Sequence, residues 1–219
     1  MSALPATLIL IPLKEEATPV RRKLAAHPDV AVRIIGIGAR NAERATREFL
    51  TAARPTRVFT CGFAGGLNPD LEVGRVLFAT QERSLAEVLS AAGARESVFV
   101  QTPRIVVTAD EKRQLRRRSA ADAVEMESTT VHTVCAEFRV PCATVRVISD
   151  AAGDDMPLDF NALAKPDQSL SFPRLLLAIA RAPRCVPGLL RLQANCKLAA
   201  ARLAATLEAA VSNLSPNAP

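Results

Sequence analysis

Residues 123–150 switch hydrophobic period twice, and that switch constrains the fold more than any other part of the sequence. In Ala123-Val-Glu-Met-Glu127, Glu125 and Glu127 lie two apart, so an extended backbone points both carboxylates to one face. From Ser128 the apolar residues Val131, Val134, Cys135 and Phe138 recur at i, i+3, i+4 and i+7, the stripe of a helix. Pro141 ends that helix, and Ala143-Thr-Val-Arg-Val-Ile148 reads as a buried strand. Asp150 falls just past the strand's carboxyl end, where open α/β sheets place ligand-binding groups. Acids at the ends of two strands joined by a helix would floor a polar pocket. They would serve equally well as solvated turn and cap residues, since helix N-termini favour acids.

A chain of 219 residues can bury the core of one sizeable α/β domain. Trp and Tyr are absent and Phe occurs eight times, so the core must come from Leu, Val, Ile and Ala, which suits buried parallel strands. A net charge of +6 is compatible with nucleic acid, an anionic membrane surface or an anionic ligand. The shortage of stacking aromatics and the lack of a recognisable module argue against nucleic acid. Five cysteines include no C-x-x-C pair, and Cys61, Cys135 and Cys142 sit in apolar segments. Buried reduced thiols are therefore expected rather than disulfides or zinc. With no basic leader and no run of transmembrane length, the expectation is a soluble, cytoplasmic chain.

In chain order, Thr7–Ile11 reads as a strand handing over to a helix at 17–26, with Glu15 and Glu16 at the junction. Acids there act as electrostatic caps more often than as catalysts. Strands follow at 32–35 and 57–61, separated by a helix that buries Ala42, Ala45, Thr46, Phe49 and Leu50. Six of the nine glycines lie between Gly36 and Gly74, concentrated in two strand-end loops, Gly36-Ile-Gly38 and Gly62-Phe-Ala-Gly-Gly66. Neither is a complete phosphate-binding motif, and each is either a ligand-cradling backbone or an ordinary tight turn. Further strands are expected at 74–79 and 104–107, and a charged helix at 109–119 ending in Arg116, Arg117 and Arg118. The stretch 81–96 has short helical spacing but no clear site. Helices at 172–180 and 189–211 close the chain, the last with a core-covering stripe rather than a membrane-contacting one. Residues 1–211 read as one domain and 212–219 as a disordered tail.

Four blocks, Leu13-Lys-Glu-Glu16, Gly36-Ile-Gly38, Gly62-Phe-Ala-Gly-Gly66 and Val124-Glu-Met-Glu127 followed by Val147-Ile-Ser-Asp150, resemble the nucleoside phosphorylase and nucleosidase superfamily. The order and separation of the last two carry the resemblance best. Val107-Thr-Ala-Asp-Glu-Lys112 and the Pro-Arg-Leu-Leu-Leu and Pro-Gly-Leu-Leu-Arg-Leu segments are most similar to its hopanoid-associated branch, whose members are thought to release adenine from adenosylhopane. The resemblance implies a three-layer α/β/α sandwich with a central mixed, partly barrel-like sheet. It also implies a homo-oligomer, a small-molecule nucleoside substrate that includes lipid-linked forms, peripheral contact with an anionic membrane, and no metal or organic cofactor.

It further implies roles. Asp150 matches the acid that protonates N7 of the departing base, for which its pocket should favour the protonated form, and Ser149 would orient it. Glu127 matches the carboxylate on the ribose hydroxyls, with Met126 packing on the sugar and Glu125 nearby but not clearly in contact. Glu16 matches the acid that activates water. Gly62, Phe63 and Ala64 would border the substrate, and Gly36 and Gly38 would offer amides to water or phosphate. Two positions depart from the pattern: Phe63 replaces a serine, and Thr60 stands where phosphorylases use an arginine. Both departures weaken a phosphate site, so hydrolysis is expected over phosphorolysis to ribose 1-phosphate, in which inorganic phosphate would be co-substrate. A nucleoside-binding sensor without catalysis is the reading from another class. Retention of Glu16, Glu127 and Asp150 together argues against it.

Overall fold

The computed structural model describes residues 5–163, 165 and 172–214. Eight strands form one sheet: β1 (Thr7–Ile11), β2 (Val30–Ile34), β3 (Arg57–Gly66), β4 (Val76–Thr80), β5 (Arg95–Glu96), β6 (Phe99–Gln101), β7 (Ala123–Glu125) and β8 (Cys142–Asp150). Its main row runs β2-β1-β3-β8-β4-β5, with β7 branching from β3 and β6 pairing with β7. Pairing is parallel except β4 with β8 and β3 with β7, so the sheet is mixed.

Alternation along β1 assigns the two faces. Ile9 and Ile11 join Phe59, Val145 and Val147 in a core covered by α1 (Lys14–Lys23), α3 (Arg83–Ala91) and α8 (Val186–Ser212). Leu8 and Leu10 join Val58 on the other face, covered by α2 (Ala39–Ala53) and α5 (Ser128–Glu137). Every residue of β1 and β8 is buried, as expected for strands sandwiched between helical layers. The helical layers obey their stripes: Ala42, Ala45 and Leu50 face inward from α2, and Leu203, Leu207 and Ala210 from α8. All five cysteines are free thiols, with Cys61, Cys135 and Cys142 buried.

Several expectations shift. The first helix begins at Lys14, so Glu16 lies in its first turn rather than ahead of it. The glycine-rich run Gly62–Gly66 is not a loop but the second half of β3, held in line by β8 on one side and β7 on the other. Residues 104–107 form no strand; the strand is Phe99–Gln101, too short to show a period. The unclear stretch resolves into α3 and β5. After α4 (Ala109–Ser119), α6 (Phe160–Leu163) and α7 (Phe172–Arg181), a 3₁₀ turn at Pro183–Cys185 runs directly into α8. That last helix continues through Ser212, and residues 215–219 of the expected tail lie outside the described residues. No described helix is long and apolar enough to cross a membrane.

Candidate active site

The site lies at the carboxyl ends of β3, β7 and β8. Gly65 pairs with Asp150 of β8 on one edge and with Val124 of β7 on the other, so three strand ends meet at one glycine. A Cβ on Gly65 would lie 3.2 Å from both Asp150 Oδ2 and a Val124 methyl, which explains why glycine stands there. Around this junction opens a pocket of about 180 Å³ lined by Glu16, Phe63, Ala64, Glu125, Met126, Glu127, Ser149 and Asp150. Sequence reasoning named all eight. Gly62, Gly36 and Gly38 do not line the pocket; Ile37 does. The Gly38 amide is already donated to Glu127 Oε1 at 2.8 Å, which removes it as an open anion site.

Glu16 caps the first helix and at the same time lines the pocket. Its Oε2 accepts the Leu13 amide at 3.1 Å, the reach-back bond of a capping box, while Oε1 accepts the Phe63 amide at 2.8 Å. The carboxyl is buried, and that desolvation raises its pKa from 4.5 to about 7, against the pull of the Phe63 amide and Arg146. An acid poised there is suited to taking a proton from water near neutrality.

Sequence reasoning missed Arg146. Its guanidinium is fully buried and donates through Nη2 to Glu125 Oε2 at 2.7 Å, Glu127 Oε2 at 3.1 Å and Ser128 Oγ at 3.1 Å. The signal was present: a cation in the middle of an apolar strand requires buried anionic partners. Gly62 serves this side chain, because a Cβ there would lie 2.7 Å from Arg146 Nη1 and φ is +152°. Glu125 Oε2 also accepts the Glu127 and Ser128 amides, whereas its Oε1 is buried without a partner among the described residues. Burial raises the pKa of Glu127, opposed by Arg146. Three buried carboxylates thus face one guanidinium, an excess of negative potential that favours positive charge developing beside them.

The second cation missed was Lys112, from the first turn of α4. Its Nζ bonds Asp150 Oδ2 at 2.5 Å, Ala151 O at 2.7 Å and Asp154 O at 3.0 Å. Ser149 Oγ donates to Asp150 Oδ1 at 2.8 Å, the orienting contact expected of it. Asp150 is therefore not an isolated acid in an apolar wall; it is half of a buried salt bridge.

A mixed sheet between helical layers, with a carboxylate-lined pocket where its strands end, defines an α/β protein built to bind a small polyhydroxylated or cationic ligand. The chain belongs to the phosphorylase superfamily, whose family model matches residues 10–92 and 82–179. Among its relatives, an aminodeoxyfutalosine nucleosidase from Campylobacter jejuni is 30% identical over 133 residues, 46% of this chain and 58% of that protein. A 5′-methylthioadenosine/S-adenosylhomocysteine nucleosidase from Tolumonas auensis is 28% identical over 175 residues, 64% of this chain and 76% of that protein. The fold is shared with the futalosine hydrolase of Helicobacter pylori, with a TM-score of 0.74 at 20% identity over 96% of this chain and 99% of that one.

Proposed function

We propose that this protein is a nucleosidase that hydrolyses the N-glycosidic bond of a 5′-substituted adenosine and releases adenine. The observation that carries the reading is the cluster of Glu16, Glu125 and Glu127 around Arg146, with Asp150 across the pocket. Cleavage through an oxocarbenium-like transition state places positive charge on the ribose, where these carboxylates stabilise it, and negative charge on the base, which Asp150 offsets through a hydrogen bond or proton. Glu127 accepts a ribose hydroxyl on a free lone pair, and Met126 packs on the sugar. The partnerless Glu125 Oε1 raises Glu125 to a second hydroxyl acceptor. Glu16 takes the proton of the attacking water. The names of the relatives agree with this activity.

Hydrolysis is favoured over phosphorolysis by two departures from the phosphorylase pattern, Thr60 and Phe63, and by the Gly38 amide, which is already engaged by Glu127. Release of adenine from 5′-methylthioadenosine, followed by chromatography, tests the activity. Asp150→Asn should lower kcat about 10²- to 10⁴-fold with the fold intact, the range for loss of a general acid. Wild-type turnover in that variant would remove Asp150 from the mechanism.

The 5′ substituent is read as large and apolar, as in adenosylhopane. A second cleft of about 700 Å³ adjoins the pocket at Asp150 and Met156, but its lining includes Asp154, Asp155, Arg184, Arg191 and Asn195, so the apolar reading rests on the resemblance to the hopanoid-associated branch and on the surface of α7 and α8. Leu176 and Leu177 of α7 and Leu190 of α8 are exposed, and residues 172–207 hold six Arg or Lys and no acid. Exposed leucines among cations suit the surface of an anionic bilayer.

A further inference from the structure

Lys112 is buried to 1% exposure, where a charge is costly unless it is paired. The elements around it deliver it deliberately. Thr108 caps α4 by accepting the Glu111 amide at 3.1 Å, and Glu111 returns the contact by accepting the Val107 and Thr108 amides. This box fixes the first turn, so the side chain at position 112 reaches the end of β8. The loop after Asp150 is tied to the same turn: Asp155 Oδ1 accepts the Ala109 amide at 2.7 Å, and the Met156 amide donates to Val107 O at 2.8 Å. All three ammonium protons are used, one each on Asp150, Ala151 O and Asp154 O. Asp150 in turn accepts on both oxygens, from Lys112 and from Ser149. Lys112 and Asp150 thus form a direct, buried ion pair.

We infer that Lys112 is the positioning residue that supplies, through Asp150, the proton taken by the departing base. The inference rests on the nucleosidase reading above. As C1′–N9 breaks, the bonding pair stays with the purine. Asp150 takes a proton from Lys112 Nζ and passes that same proton to N7, leaving a neutral amine and a carboxylate. The water oxygen bonds to C1′ as one of its O–H bonds breaks and that proton goes to Glu16. One proton has left Lys112 and one has reached Glu16, so charge is conserved, and exchange with solvent restores both groups.

The test compares two leaving groups on the full-length protein. Adenine needs a proton to depart, whereas p-nitrophenolate leaves from p-nitrophenyl β-D-riboside as a stable anion. Lys112→Gln, which keeps a hydrogen-bond donor, and Lys112→Met should each lose about 10²- to 10⁴-fold in kcat on 5′-methylthioadenosine and less than tenfold on the riboside. Because the ratio between substrates is internal to each preparation, a partly unfolded variant still reports it. Equal losses on both substrates would make Lys112 a purely structural residue and overturn the inference while leaving the nucleosidase reading in place. No turnover of either substrate by wild-type protein would overturn that reading and this inference with it.

Discussion

Glu16 carries the sharpest consequence at the scale of single residues. Its carboxyl holds a proton up to about pH 7 in the folded protein but only to about 4.5 when exposed. The native state therefore binds the extra proton between those values, and the stability that this group contributes is fully present below about 4.5 and is lost as pH rises through about 7. At about 1.4 kcal/mol per pH unit the displacement amounts to roughly 3 kcal/mol. Glu16→Gln removes this titration, so the Tm of the variant relative to wild type should be higher at pH 8 than at pH 4.5. A difference that does not change with pH would contradict the burial argument. The same ionisation should appear in turnover: a base must be deprotonated, so wild-type kcat/KM should rise with pH through about 7, and Glu16→Gln should flatten that limb. Glu16, Glu127 and Asp150 were legible because short motifs with fixed spacing carried them. Arg146 and Lys112 were not, because their meaning lies in partners 21 and 38 positions away in the chain. Only the register of β8 against β3 and the angle of α4 bring those partners together.

Among the elements, α4 governs the site although it contributes only one side chain to it. Its capping box spans Thr108 and Glu111, and Thr108→Ala should destabilise the protein by about 1 kcal/mol, read as a lower midpoint in urea. If Lys112 depends on that cap, the variant should also lose turnover of a purine nucleoside. Continuous apolar runs revealed β1 and β8, and a helical stripe revealed α2 and α8. Such patterns failed at β6, three residues long, and at residues 104–107, where an apolar run lines the pocket instead of pairing. Glycine misled in a specific way. In Gly62–Gly66 it reads as a loop, yet here it lets a strand pass close to Arg146 and Asp150 while keeping its ladder.

For the whole molecule, the three-layer order places two kinds of surface at one end. The pocket opens where β3, β7 and β8 finish, and the 3₁₀ turn and the cationic start of α8 border the adjoining cleft. The protein should cosediment with anionic liposomes at low salt and be released at high salt, and replacing Leu176, Leu177 and Leu190 with Ser should abolish binding without changing turnover of 5′-methylthioadenosine. Liposome binding unaffected by those changes would place the contact elsewhere. The central claim is that three buried carboxylates, one guanidinium and the Asp150–Lys112 pair cleave a glycosidic bond with water. Its most direct test is adenine release from 5′-substituted adenosines by wild-type protein, with and without inorganic phosphate. Equal release in both conditions, yielding the free sugar, is the predicted result. Release only with phosphate, yielding the sugar 1-phosphate, would contradict it.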